Sequence, residues 1–337
     1  MMRFGRGIAI VLAVFLLTAC APRFILPGPL TQTPVLEANH VNLADGVRLP
    51  LRSWKAEAKP EKAIVLALHG FNDYGTFIAK SAWTLAERGV TTYAYDQRGF
   101  GGSPHTGQWA GSDAYTNDLT TISRLIRKQH PGVPLFLLGE SMGGAVILVA
   151  ATSTNPPVSD GIILSAPAVW GWQAMPWYQT IPLSLAAHLF PGWVVTGEGL
   201  NITPSDNREM LIALGRDPMV IKGARIDTLY GLTNLMDRAY EAGPTFSGPA
   251  LILYGEKDEI IPWEPTKDLL AARPKTVLSK QKVALYQNGY HMLLRDLQGD
   301  KVLNDILAWL NNSKLPLPSK ADLNGVKIEP RQTGFLQ

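Results

Sequence analysis

Ser141 stands at the centre of Gly139-Glu140-Ser141-Met142-Gly143, between the apolar run Pro134–Leu138 and the small-residue stretch Gly144–Ala150. A buried strand, a Gly-x-Ser-x-Gly turn and a small-residue helix are the three parts of a nucleophile elbow. The turn is so sharp that the serine is held in strained backbone, with little room for neighbouring side chains. Gly139 and Gly143 flank it for that reason, and Gly144 and Ala145 let the helix lie close to its strand. The hydroxyl then stands at the carboxyl end of the strand, near the positive N-terminus of the helix. The chemistry expected there is attack on a carbonyl carbon, which needs a base, an acid that orients the base, and donors for an oxyanion.

Six histidines are available: His40, His69, His105, His130, His188 and His291. With a serine on such an elbow the triad runs Ser, acid, His along the chain, so only His188 and His291 qualify. His188 lies in the amphipathic segment Leu185–Phe190, where a histidine on a helix face needs no catalytic explanation. His291 lies in Gln287–Met292, a turn between a strand over 282–286 and a helix over 300–310, and is the expected base. Ala250–Tyr254 is another buried-strand run, and Gly255–Pro262 after it offers Glu256, Asp258 and Glu259. Asp258 is the expected acid, fixing the His291 tautomer through Nδ1 and stabilising the imidazolium. The two glutamates read as solvated loop charge. One oxyanion donor is expected to be the N–H of Met142, the residue after the nucleophile. The other comes from the loop His69-Gly70-Phe71 after the strand 63–68, where Gly70 lets the backbone turn inward and Phe71 N–H donates. His69 is expected to orient that loop by hydrogen bonding.

These residues work together only if strand ends bring them to one place. The runs 63–68, 134–138, 161–165 and 250–254 are almost wholly apolar, the pattern of strands buried on both faces of a parallel sheet. Between them the spacing predicts helices over 78–88, ended by Gly89, and over 118–129, where Leu119, Ile122, Leu125 and Ile126 share a face and Pro131 stops the chain. Alternating strands and helices give an α/β doubly wound sheet, whose sites lie outside the carboxyl ends of the strands. Each expected catalytic residue follows such an end. Segments 40–43 and 47–54 around Asp45-Gly46 read as an antiparallel hairpin on the sheet edge. Arg98 and Ser103 are expected to brace the loop after a strand over 91–95.

Four matches carry a resemblance: His69-Gly70-Phe71, the octapeptide Asp96–Ser103, the elbow Gly139–Gly144, and Gly255-Glu256-Lys257-Asp258 with Gly289-Tyr290-His291. In these the chain resembles the α/β-hydrolases of the monoacylglycerol lipase and lysophospholipase group, relatives of the serine aminopeptidase-like hydrolases. The matches span 69–291 in the expected order. The resemblance implies an α/β-hydrolase fold, a mostly parallel doubly wound sheet with an inserted helical cap. It implies hydrolysis of a carboxylic ester, a lysophospholipid or monoacylglycerol, through an acyl-enzyme, with no cofactor and no metal. An acyltransferase or peptidase of the same fold and a non-catalytic lipid-binding protein are the alternatives. An intact Ser141, Asp258 and His291 argue against the last.

The core would comprise 37–167 and 246–312. Residues 168–245 break the strand–helix alternation, and the resemblance implies that they form the cap. They contain Trp170, Trp172, Trp177 and Trp193. Two of these are expected inside the cap; the others would face the pocket or a lipid surface.

With 337 residues the chain can bury one large core, and 46% apolar residues is ordinary for a globular protein. The net charge is only +3, with no basic run interleaved with aromatics, which speaks against nucleic acid as a partner. No Cys or His cluster suggests a metal. Arg3 and Arg6 precede the apolar run Ile8–Ala19, too short to span a bilayer and typical of a signal segment. It ends in Leu17-Thr18-Ala19-Cys20, which resembles a bacterial lipobox with cleavage before Cys20. Residues 1–19 would then be a signal peptide and 20–36 a lipidated tether interrupted by prolines. Cys20, the one cysteine of the chain, would carry a diacylated thioether and an N-acyl group, enough chains for stable membrane anchoring. Ala21, in place of an aspartate, points under the lipobox rule to the outer membrane of a bacterial envelope. Residues 313–337 read as a surface-hugging or disordered tail.

Overall fold

The computed structural model describes residues 21–323. The expectations for the signal segment, for Cys20 and for 324–337 lie outside the described residues.

Three short strands, β1 (Val35–Leu36), β2 (His40–Asn42) and β3 (Arg48–Trp54), form an antiparallel meander at one edge of the main sheet. Asp45-Gly46 makes the expected turn between β2 and β3, with Gly46 at φ +84° and the Asp45 carboxylate accepting from Val47 N–H. β1 escapes the sequence reading because two residues carry no periodicity.

Next come β4 (Ala63–Leu68), β5 (Val90–Tyr95), β6 (Leu135–Glu140) and β7 (Gly161–Ser165), in which every residue is buried. β8 (Val194–Thr196) and β9 (Gly223–Arg225) pair only with each other. The fully buried β10 (Ala250–Gly255) and then β11 (Gln281–Tyr286) complete the main sheet. Its order is β1-β2-β3-β5-β4-β6-β7-β10-β11, parallel from β5 to β11. Side chains alternate between the faces, so that Ile64, Leu66 and Leu68 enter one core while Ala63, Val65 and Ala67 enter the other.

Helix α1 (Ala79–Glu87) covers one face. α2 (Ser112–Gln129) and α3 (Met142–Ala151) cover the other, together with the cap helix α6 described below. α2 begins a turn and a half before its predicted start, because Ala114 and Tyr115 in its first turns are also buried. Strand order reverses between β4 and β6, with β5 on one side of β4 and β6 on the other. The crevice at such a switch point, outside the carboxyl ends, is where an open α/β sheet holds its ligand.

Between β7 and β10 lie α4 (Trp177–Leu189), α5 (Arg208–Arg216) and α6 (Ile226–Ala242), with the β8–β9 hairpin among them. The segment expected to be a helical cap thus holds a small antiparallel sheet as well, whose three-residue strands, β8 exposed and β9 buried only at Ala224, leave no buried run to read. α6 packs on α3 and carries α4 and β9, whereas the α5 segment is tied to the core through Asn207 on Arg295 O and Asp217 on Tyr74 OH. Trp170 and Trp172 are half-buried, Trp172 donating to Asn234, whereas Trp177 and Trp193 are exposed. After β10 come α7 (Trp263–Ala271) and, after β11, α8 (Gly299–Asn311), whose Val302, Leu303, Ile306 and Trp309 close the second core.

Both ends of the described chain are tied down more firmly than their composition suggests. Phe24 forms a parallel bridge with Trp109, Ile25 N–H donates to Trp109 O, and Thr31 and Gln32 N–H donate to Ala44 O. At the other end Leu317 and Ala321 are buried, and Asp305 accepts from Ser319 N–H and from Tyr286 OH. Prolines ended the regular elements there without preventing burial of the apolar residues between them.

Candidate active site

Ser141 occupies the turn from β6 into α3 at φ +51°, ψ −114°, a region that side-chain-bearing residues rarely adopt. The surroundings enforce it. Ser141 N–H donates to Ser165 O of β7, and Ser141 O accepts from Ala145 and Ala168 N–H. A Cβ on Gly139 would fall 2.5 Å from Gly143 C, and one on Gly143 would fall 2.3 Å from Leu68 O. Only glycines let the helix start this close to both strands.

β10 and β11 are paired in register through Gly255 and Tyr286, so the loops that leave them run side by side. Lys257 N–H donates to Gly289 O, and a Cβ on Gly255 would fall 2.4 Å from Gly289 C. This contact brings Asp258 to His291: Nδ1 lies 2.8 Å from Asp258 Oδ2. The other carboxylate oxygen accepts from Ile260 N–H at 2.8 Å and Ile261 N–H at 3.0 Å. A carboxylate held by two backbone donors makes Nδ1 the protonated nitrogen and leaves Nε2 its lone pair. His291 and the Asp258 side chain are buried.

Asp296 supports the loop from below, accepting from Tyr290 N–H at 2.8 Å and from Ser205 Oγ at 2.5 Å, and burial pushes its carboxyl up to about 6. The competing residues lie elsewhere. Glu259 accepts from Thr203 N–H of the cap, Glu256 is exposed, and His188 Nδ1 bonds Ser184 O within α4.

The loop after β4 runs against the nucleophile, a Cβ on Gly70 falling 3.4 Å from Ser141 Cβ. Phe71 N–H has no acceptor among the described residues. Met142, as the first residue of α3, has one of the N–H groups that a helix leaves free. Two donors without an acceptor among the described residues, one next to Ser141 in the chain and one in the loop packed against it, suit a developing oxyanion. His69 is fully buried; its Nε2 accepts from Gln97 N–H at 2.9 Å, so Nδ1 donates to Gly70 O at 2.8 Å. Burial lowers its pKa, which keeps the ring neutral in that tautomer. Arg98 donates to both Asp118 and Asp45, while Ser103 Oγ accepts from Phe100 N–H and bonds Gln97 O. These contacts brace the neighbouring loop.

Ser141 and His291 open into one cleft of about 310 Å³, continuous with solvent. Ala168, Trp170, Leu232, Met236, Ile260 and Ile261 give it an apolar wall, partly from the cap. A polar wall faces them, and the sequence reading did not find it. Arg295 donates to Asp73 at 2.6 Å and to Glu140 at 2.5 Å, all three side chains being nearly inaccessible. Burial pushes the Glu140 carboxyl up, Arg295 opposes the shift, and Asp73 adds to it. Glu140 Oε2 has no hydrogen-bond partner among the described residues. The only signal in the sequence was Arg295 four residues after His291 and a glutamate inside the elbow; nothing linked either to Asp73, which lies 222 positions from Arg295. Among the described residues no group of His, Cys, Asp and Glu side chains could hold a metal ion.

The family described as serine aminopeptidase, S33, matches residues 59–298. Monoglyceride lipase of Rattus norvegicus is 28% identical over 291 residues, covering 83% of this chain and 92% of the relative. Monoacylglycerol lipase of Mycolicibacterium smegmatis is 26% identical over 278 residues, covering 79% and 93%. Among solved structures, a soluble variant of Saccharomyces cerevisiae monoglyceride lipase in complex with a substrate analog superimposes with a TM-score of 0.69 at 22% identity, covering 85% of this chain and 98% of that one. Monoacylglycerol lipase of Paleococcus ferrophilus gives 0.64 at 21% identity, with 78% and 98% covered. The shared fold is the α/β-hydrolase fold.

Proposed function

The chain belongs to the serine aminopeptidase S33 family, and from that premise we propose that it is a serine hydrolase that cleaves the carboxylic esters of single-chain lipids, monoacylglycerols or lysophospholipids. The observation that carries this reading is the convergence of three strand ends on one cleft. Ser141 follows β6, the Asp258–His291 pair follows β10 and β11, and the free N–H groups of Phe71 and Met142 flank the hydroxyl. Ser141 Oγ attacks the ester carbonyl carbon while His291 Nε2 takes its proton, and Asp258 stabilises the imidazolium. The tetrahedral oxyanion sits on the Phe71 and Met142 N–H groups. As it collapses, His291 returns the proton to the leaving alcohol, and water releases the fatty acid by the same steps in reverse. The apolar wall suits an acyl chain, and the polar wall of Asp73, Glu140 and Arg295 suits a hydroxylated head group. Relatives named monoglyceride lipase support that class.

A peptidase reading has one observation in its favour: the unpartnered Glu140 Oε2 could accept a substrate ammonium. Purified protein assayed on monoacylglycerols, lysophospholipids, short esters and aminoacyl amides separates the two. Turnover of the single-chain lipids should exceed that of the amides by orders of magnitude. Preferential cleavage of the amides would overturn the ester reading.

The sequence also supports a lipid anchor on Cys20, holding the enzyme at the outer membrane of a bacterial envelope. An unmodified Cys20 thiol in protein isolated from cells would refute it.

A further inference from the structure

Helix α4 faces water without a single charged side chain. Trp177, Ile181, Leu185 and Leu189 recur every four residues along it, and each is more than half exposed. The adjoining hairpin exposes Trp193 and Val194 to a similar degree. Continuous apolar surface of this kind on a soluble domain marks an interaction face. Its tryptophans suit a surface that is apolar on one side and wet on the other.

The start of the described chain indicates what covers this face. Phe24 and Ile25 are fixed to Trp109 by a bridge and a 2.8 Å hydrogen bond. Trp109 lies so close beneath α6 that a Cβ on Gly231 would fall 2.4 Å from its ring. One turn earlier Thr228 Oγ1 donates to Gly107 O at 3.0 Å. At the start of the same helix, Ile226 N–H donates to Trp193 O at 2.8 Å and Asp227 N–H to Pro191 O at 2.9 Å. The N-terminal segment and the apolar hairpin are therefore both tied to the first two turns of α6. The segment itself carries two exposed apolar side chains, Leu26 and Leu30, 71% and 79% exposed. Four Cα–Cα steps separate position 20 from Phe24, a reach of at most about 14 Å.

We propose that residues 21–32 are a strap rather than a free tether. The strap holds the lipid-bearing position 20 beside the cap, so that the anchored enzyme seats the α4 and β8–β9 face on the lipid surface. The occupant of that face is a bilayer. This rests on the anchor reading above and adds an orientation to it. Single-chain lipid leaving the bilayer then meets the cap, whose Trp170, Leu232 and Met236 line the Ser141 cleft.

Because the chain has one cysteine, the orientation can be tested apart from native lipidation. Residues 20–337 are coupled through Cys20 to a maleimide lipid in phosphatidylcholine–phosphatidylglycerol vesicles with brominated acyl chains. Bromine should quench the emission component that the double variant Trp177→Phe/Trp193→Phe removes. A ten-residue Gly-Ser insertion between Cys20 and Ala21 should lower hydrolysis of vesicle-embedded monoacylglycerol at least severalfold and leave turnover of a soluble short-chain ester unchanged. The triple variant Trp177→Ser/Ile181→Ser/Leu185→Ser should lose the quenching with the same unchanged turnover, which also shows that it folds. Absence of quenching, or an insertion without effect on the vesicle-phase rate, would overturn the proposal. So would sedimentation showing that uncoupled protein dimerises through this face. Mass spectrometry of the N-terminus from cells tests the anchor by itself, so the two failures are distinguishable.

Discussion

At the scale of single residues the site divides into groups that do chemistry and groups that hold them. Ser141→Ala removes one oxygen from a rigid turn, so stability should barely change while ester turnover falls about 10³-fold or more, the remainder coming from binding and the oxyanion donors. A fluorophosphonate probe should label Ser141 in the unaltered protein. The double variant Ser141→Ala/His291→Ala should be hardly worse than either single one; additive losses would show that the two share no proton path. Asp258→Asn should be as damaging as His291→Ala, because the carboxylate fixes the tautomer. Glu259→Gln should be nearly silent, since that side chain only meets Thr203 N–H.

Arg295 is of the other kind. Replacing it by Met leaves two buried carboxylates without a countercharge, an expected loss of about 3–5 kcal/mol in urea unfolding. The sign with pH follows from Glu140, whose folded-state pKa is raised. Such an acid favours folding at low pH, and this contribution is lost as pH rises through the raised value. Without Arg295 the pKa rises further. The deficit of Arg295→Met should therefore be largest in mildly alkaline buffer and shrink on acidification; a deficit that grows in acid would contradict the assignment of burial and charge.

At the scale of elements the close approach of β4, β6 and α3 decides whether the elbow forms at all. Gly143→Ala drives a Cβ toward the backbone carbonyl of Leu68, which cannot swing aside as a side chain would. A loss of about 3 kcal/mol is expected, at the upper end for overpacking, and activity should fall with it. Gly197→Ala in the cap is the control, since nothing lies within 4 Å of its added Cβ. It should be neutral or stabilise by about 0.4–1 kcal/mol through the unfolded chain. Denaturant midpoints of the two variants measure the contrast directly. Equal effects would mean that the tight packing at the elbow is not what limits substitution.

At the scale of the whole molecule, catalysis and anchoring occupy different parts of the chain. No helix among the described residues is long and apolar enough to cross a membrane. Under the anchor reading, Cys20→Ala should therefore move the protein from the detergent phase to the aqueous phase. Its turnover of soluble short esters should be unchanged, and its action on membrane-resident lipid in cells should fall, because tethering raises the local concentration of enzyme at the substrate. A Cys20→Ala protein that still partitions with detergent would refute the anchor and leave the hydrolase reading intact.

The doubly wound sheet is legible in the residues alone, because strands buried on both faces are written as continuous apolar runs. The sequence also placed Ser141, Asp258 and His291 at strand ends, because the elbow, its chain order and the loops after 250–254 and 282–286 are local patterns. Tertiary structure alone decided the rest. The Asp73–Arg295–Glu140 wall joins two loops to the end of β6, and a charge in a sequence does not name its partner. The β8–β9 pair has strands too short for a period, and is made by pairing across the 26 intervening residues of cap. The docking of Phe24 on Trp109, in a stretch whose prolines read as a spacer, depends on a partner 85 positions further along the chain. Local pattern fixes what each segment can form, whereas burial of a polar group or an end of the chain depends on what folds against it.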